Sequence, residues 1–116
     1  MQYLCLIFEA ESLASQRDDQ ANQALFADYH KFTEEIEATG NHIGGEALMP
    51  TETATTVRVR NGETLLTDGP FAETKEQLGG YYLIEAASLD EAVEIASRIP
   101  SAKDGCVEVR PIMVIE

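Results

Sequence analysis

The spacing of apolar residues in this chain changes in a fixed order, and that order restricts the fold more than any single motif does. Residues 1–9 form a short run of strand formers. Ala21, Leu25, Tyr29, Phe32 and Ile36 then recur at steps of three and four, which is one stripe of a helix over residues 18–39. Asp18 and Asp19 suit its positive end, and Gly40-Asn41 ends it. Residues 10–16 before it read as a loop or a short lead-in turn, and residues 42–48 after it as a weaker strand loosened by Gly44 and Gly45.

From Thr55 to Arg60 the period is two, Asn61-Gly62 offers the positive φ angles of a tight hairpin, and residues 63–67 form the return strand. Residues 81–86 and 106–115 read as further strands. Between them Ser88-Leu89-Asp90-Glu91 opens a second helix as a capping box, with Leu89, Ala92, Val93, Ala96 and Ile99 as its buried stripe and Pro100 as its stop.

Strand, helix, strand, hairpin, strand, helix, strand contains a split β-α-β repeated twice. The halves echo one another in Glu9-Ala10-Glu11-Ser12-Leu13 and Glu85-Ala86-Ala87-Ser88-Leu89. The expected fold is α+β: a ferredoxin-like sandwich with an inserted hairpin, an antiparallel sheet and both helices on one of its faces. The other face is then bare. An apolar face needs a cover, and a two-fold copy is the commonest one, so a homodimer through the open sheet face is expected. Residues 106–115 are apolar on both sides, and their end is expected under a partner subunit or the second helix.

At 116 residues the chain makes one domain, 1–116. It has no run of eighteen apolar residues to cross a membrane. Eight basic against 21 acidic residues give a net charge of −13, which repels a phosphate backbone and argues against nucleic acid. Cys5 and Cys106 lack metal spacing and read as buried thiols of a reducing compartment. The apolar start has no basic flank and no small-residue cleavage site, so it reads as a strand and not a signal peptide. A cytoplasmic protein is expected.

Four ordered blocks carry a family resemblance. Thr67-Asp68-Gly69-Pro70-Phe71-Ala72-Glu73-Thr74-Lys75-Glu76-Gln77-Leu78-Gly79-Gly80-Tyr81-Tyr82 resembles the signature of the YCII-related proteins with an Asp-Gly-Pro-Phe (DGPF) motif. Gly44-Gly45-Glu46-Ala47-Leu48, Ala54-Thr55-Thr56-Val57-Arg58 and Val107-Glu108-Val109-Arg110-Pro111-Ile112 are similar to that family in order and spacing. The resemblance implies a dimeric ferredoxin-like α/β barrel, related in fold to small monooxygenases, decarboxylases and isomerases. It carries no firmly assigned reaction, and some members are encoded near alternative sigma factors. Fold kinship does not transfer chemistry.

Asp68 is either a turn former that accepts from amides two residues on, with Gly69 and Pro70 shaping the bend and Phe71 plugging it into the core, or a site carboxylate. Glu73, Thr74, Lys75 and Glu76 with the flexible Gly79-Gly80 pair form a polar loop beside it. His30 lies in the first helix a turn before Glu34, which can orient its ring for acid–base work. The resemblance implies a functional histidine in this helix, at a position that falls on Tyr29 or His30. His42 can bond the last helix carbonyls. Arg58 and Arg60 share a strand face that either holds an anionic substrate or pairs with acids such as Glu46, and Arg110 is similar.

The enzyme reading makes His30 the acid/base, Asp68 its partner, and Arg58, Phe71, Glu73 and Lys75 the substrate contacts. It places a small molecule in a sheet–helix cleft with no metal and no redox cofactor. The alternative is a non-catalytic dimer that binds a metabolite, or an accessory protein that docks on a basic partner such as a sigma factor.

Overall fold

The computed structural model describes residues 1–116. Its strands are β1 (Gln2–Glu9), β2 (His42–Ala47), β3 (Thr55–Arg60), β4 (Glu63–Asp68), β5 (Gln77–Glu85) and β6 (Cys106–Pro111). Its helices are α1 (Glu11–Ser15), α2 (Asp19–Ala38) and α3 (Leu89–Ser97), with 3-10 turns at Thr51–Thr53 and Pro100–Lys103. Four strands form one antiparallel sheet in the order β2-β5-β1-β6. The central strands β1 and β5 come from different halves of the chain, and this interleaving is that of the ferredoxin-like split β-α-β.

Local chemistry sets the element ends. The Asp18 carboxylate accepts from Ala21 N at 2.8 Å to start α2, and Gly40 ends it at φ +77°. Ser88 Oγ accepts from Glu91 N at 3.2 Å to start α3, while the Glu91 carboxylate reaches Ala87 N and not the serine amide. Asn61 and Gly62, at φ 53° and 77°, make the β3–β4 turn.

Strand alternation divides β1 between two faces. Tyr3, Cys5 and Ile7 point to the core with Ile84 of β5, Phe32 and Ile36 of α2, and Ala92, Ile95, Ala96 and Ile99 of the α3 region. Leu4, Leu6 and Phe8 point to the other face, where no helix lies.

Several expectations need correction. On α3 the buried stripe is Ala92, Ile95 and Ala96, whereas Leu89 and Val93 are half exposed, because the inward face of the helix is centred on Ile95 with an alanine on either side. Gly79 and Gly80 belong to β5, Gly80 paired with Ile7 of β1 and Ala47 of β2 and Gly79 at the bulge beside it, and are not a flexible loop. Cys106 is exposed, while Cys5 is fully buried. The ladder of β6 stops at Pro111, and Met113, Val114 and Ile115 run on at 79–85% exposure with neither α3 nor another strand over them. The hairpin β3–β4 stays out of the main sheet as a separate two-stranded ribbon, so Arg58 and Arg60 do not pair with Glu46 across it.

Candidate functional site

Between α2 and the β2–β5 side of the sheet lies a cleft of about 390 Å³. Its floor is nearly free of side chains. On the core face of these strands stand Gly45 and Ala47 of β2 and Gly80 of β5. Glycine is required here by close approach, since a Cβ on Gly45 would lie 2.6 Å from the Tyr81 carbonyl oxygen and one on Gly80 would lie 2.8 Å from that of Glu46. Elsewhere on this face Tyr82 and Ile84 fill the space up to α2; over the glycines nothing does.

Aromatic and polar groups wall the cleft. Tyr82 stacks on Tyr29 of α2, with ring centroids 6.5 Å apart and planes at 9°, and takes Phe32 and His42 on its edges at 5.2 and 6.1 Å. The Tyr29 hydroxyl donates to Ser101 Oγ at 2.6 Å, and the Tyr82 hydroxyl shares a 2.7 Å hydrogen bond with Thr33. Burial pushes both phenols above their ordinary range, so at neutral pH they remain protonated donors. The half-buried His42 imidazole makes no hydrogen bond within the protein. It is the one imidazole that borders the cleft.

Glu9 also borders the cleft but is already occupied. Arg17 holds it in a two-pronged pair at 2.8 and 2.6 Å, with both side chains about 15% exposed and Asp104 at 3.8 Å beyond. The hydrogen bond to Glu9 raises the Arg17 pKa, so this pair fixes the end of β1 and leaves no free base. No group of three His, Cys, Asp or Glu side chains converges as a metal site.

Burial pushes the Cys5 thiol, under the same sheet, up to about 11 from 9.0. An unfolded chain therefore loses this proton first, and stability falls as pH rises from about 9 toward 11. Urea unfolding at about pH 8 and pH 10.5 should show Cys5→Ala losing roughly 2 kcal/mol less than the wild type between the two.

The residues singled out from the sequence lie apart. His30 is on the outer side of α2, 77% exposed, and its imidazole meets Glu34 at 2.5 Å. Asp68 ends β4 in solvent and accepts no hydrogen bond; the bend after it is held instead by Gly69 N donating to the Ala54 carbonyl at 2.7 Å and Thr56 Oγ1 donating to the Gly69 carbonyl at 2.8 Å. No hydrogen bond or ion pair joins His30 to Asp68, and neither borders the cleft. Phe71 is 81% exposed and does not plug the bend into the core. Glu73 lines a wider, open groove with Gly69, Pro70, Glu11 and Glu52, and Lys75 edges a depression beside Glu76 and Cys106. Arg58 has no ion pair within the protomer.

His42 lines the cleft and does not bond the last helix carbonyls as its sequence position suggests. It follows Asn41, and it is Asn41 whose backbone N caps the helix by donating to the Ile36 carbonyl at 2.9 Å. That releases His42 to start β2 opposite Ile84, on the core face. The signal was present in Gly45 and Gly80, which come to one face of adjacent strands on a diagonal, Gly45 opposite Tyr82 and Gly80 opposite Ala47.

Comparison with known proteins places this geometry in a family. An uncharacterised protein of Rhizobium meliloti (strain 1021) is 42% identical over 119 residues, covering 97% of this chain and 92% of the relative. Among solved structures, 5-chloro-2-hydroxyhydroquinone dehydrochlorinase (TftG) from Burkholderia phenoliruptrix AC1100, in complex with 2,5-dihydroxybenzoquinone, superposes with a TM-score of 0.53 at 17% identity over 97% of this chain and 94% of its own. That likeness is one of fold. The model of the YCII-related domain matches residues 1–116, and the chain belongs to the YCII-related family.

Proposed function

We propose that the protein is a small-molecule enzyme that moves a proton on a compact, oxygen-bearing aromatic molecule in the cleft between α2 and the sheet, using neither metal nor redox cofactor. The observation that carries this reading is the meeting of one imidazole, His42, with two protonated phenols, Tyr29 and Tyr82, over a floor without side chains. A dry cavity of about 150 Å³ accepts benzene, so a cleft of 390 Å³ has room for one substituted ring. Stacked tyrosines offer a flat apolar wall to such a ring. His42 takes the proton from a ring hydroxyl or carbon, the Tyr82 hydroxyl, with Thr33 donating to it, donates to the oxygen on which charge builds up, and the imidazolium returns the proton. The open sheet face supports the companion proposal that the working unit is a homodimer.

The structural neighbour acts on a chlorinated hydroxyhydroquinone, which makes hydroxylated and chlorinated quinols the first compounds to assay. Ala47 lines the cleft, and Ala47→Phe fills it without touching the core cluster. The wild type should turn over at least one quinol of such a panel, with kcat/KM lowered tenfold or more in Ala47→Phe. Turnover equal in both proteins would overturn the cleft assignment. Saturable wild-type binding with no turnover would instead make the protein a metabolite binder.

A further inference from the structure

The hairpin β3–β4 has no partner in the rest of the chain, and an isolated two-stranded ribbon is marginally stable at best in water. Val57 with Leu66 and Val59 with Thr64 lie on one of its sides, Arg58 with Leu65 and Arg60 with Glu63 on the other. Val57, Val59 and Leu66 are each more than half exposed. Of the seventeen exposed large hydrophobic residues, nine lie in this hairpin, at Phe71 or in residues 112–115, so the uncovered apolar surface is concentrated in two projecting segments. The overall shape agrees. The chain is a slab of 47 × 46 × 18 Å with a radius of gyration of 16.2 Å, against about 13 Å for a compact chain of this length.

The open sheet face has matching chemistry. Leu4 and Leu83, Leu6 and Tyr81 are neighbours across β1 and β5, and they form an apolar strip. The row through Leu6 and Tyr81 ends in Glu46 on one edge strand and Glu108 on the other. Glu46, Glu108, Arg58 and Arg60 all lack an ion pair within the protomer. The strip residues are only part-exposed, whereas a stable interface buries about 800 Å² on each side, so further surface has to join the strip.

We infer that the hairpin is an arm exchanged between two copies of this chain, with Arg58 and Arg60 pairing with Glu46 and Glu108 of the partner subunit at the rim of the partner's open sheet face. The inference rests on the two-fold pairing proposed above and adds what holds it together. Charge pairs at such a rim steer association and make it salt-dependent.

Sedimentation velocity of the full chain tests it, over a concentration series at low and high salt. The wild type should be a dimer that weakens as salt rises. Arg58→Glu/Arg60→Glu should raise the dimer Kd at least tenfold with an unchanged circular-dichroism spectrum, since both arginines are exposed. Adding Glu46→Arg/Glu108→Arg to that variant should restore most of the loss. A dimer unaffected by the arginine reversals, or one not restored by the second pair, would overturn the arm while leaving the two-fold reading intact. A wild type that is monomeric throughout would overturn both.

Discussion

His42→Ala is expected to lower kcat/KM by two to four orders of magnitude, the usual contribution of a positioned acid–base group, while the protein keeps its fold. The fold survives because the imidazole is half-buried at the edge of the sheet and hydrogen-bonded to nothing, with Tyr82 edge-on to it. The loss should fall mainly on kcat, because the flat wall of Tyr29 and Tyr82 that receives the ring remains. His42→Gln, which keeps the volume and a hydrogen-bonding end but cannot exchange a proton near neutrality, should be about as inactive as alanine. His30→Ala serves as the comparison. His30 faces solvent with Glu34 and borders no part of the cleft, so this variant separates a helix-surface histidine from a cleft one within the same assay. Activity retained by His42→Ala and lost by His30→Ala would move the chemistry to the outer side of α2.

The largest expected effect on stability is at Ile84. This side chain is fully buried on a central strand, between Tyr3 of β1 and His42 of β2, in the cluster that joins the sheet to α2 and α3. Truncation to alanine removes three carbons from the middle of that cluster and leaves a cavity that two sheet neighbours and two helices cannot all collapse into. The cost should be about 2–5 kcal/mol, a large fraction of the roughly 5–15 kcal/mol that holds a domain folded. Chemical denaturation of Ile84→Ala should show the loss as a lower midpoint with an unchanged slope. By contrast Leu89→Ala, at a position whose place in the helical stripe had suggested burial, should cost well under half as much, because Leu89 is half exposed.

Element order, the hairpin turn and both helix starts were legible in the sequence because each depends on chemistry within a few residues: Asn61-Gly62, Asp18 and Ser88 act on their own neighbours. The sandwich followed from that order, since two β-α-β halves leave few ways to pair four strands. The α3 stripe was misplaced because Leu89 and Val93 fit the same helical spacing as Ala92, Ile95 and Ala96. Only the rotation of the helix against the sheet decides that Ala92, Ile95 and Ala96 face inward. The cleft was hidden for a related reason. Gly45 and Gly80, far apart in the chain, share one floor only when β2 lies beside β5, and Gly79-Gly80, read alone, looks like a hinge. Phe71 and the 112–115 tail were expected under cover, and within one protomer they have none.

If a ring binds in the α2–sheet cleft, a crystal of the protein soaked with 2,5-dihydroxybenzoquinone should show it over Gly45 and Gly80, within hydrogen-bonding distance of His42 and of the Tyr29 or Tyr82 hydroxyl. A ring seated in the open groove beside Glu11, Glu52 and Glu73, with the cleft empty, would contradict that binding site.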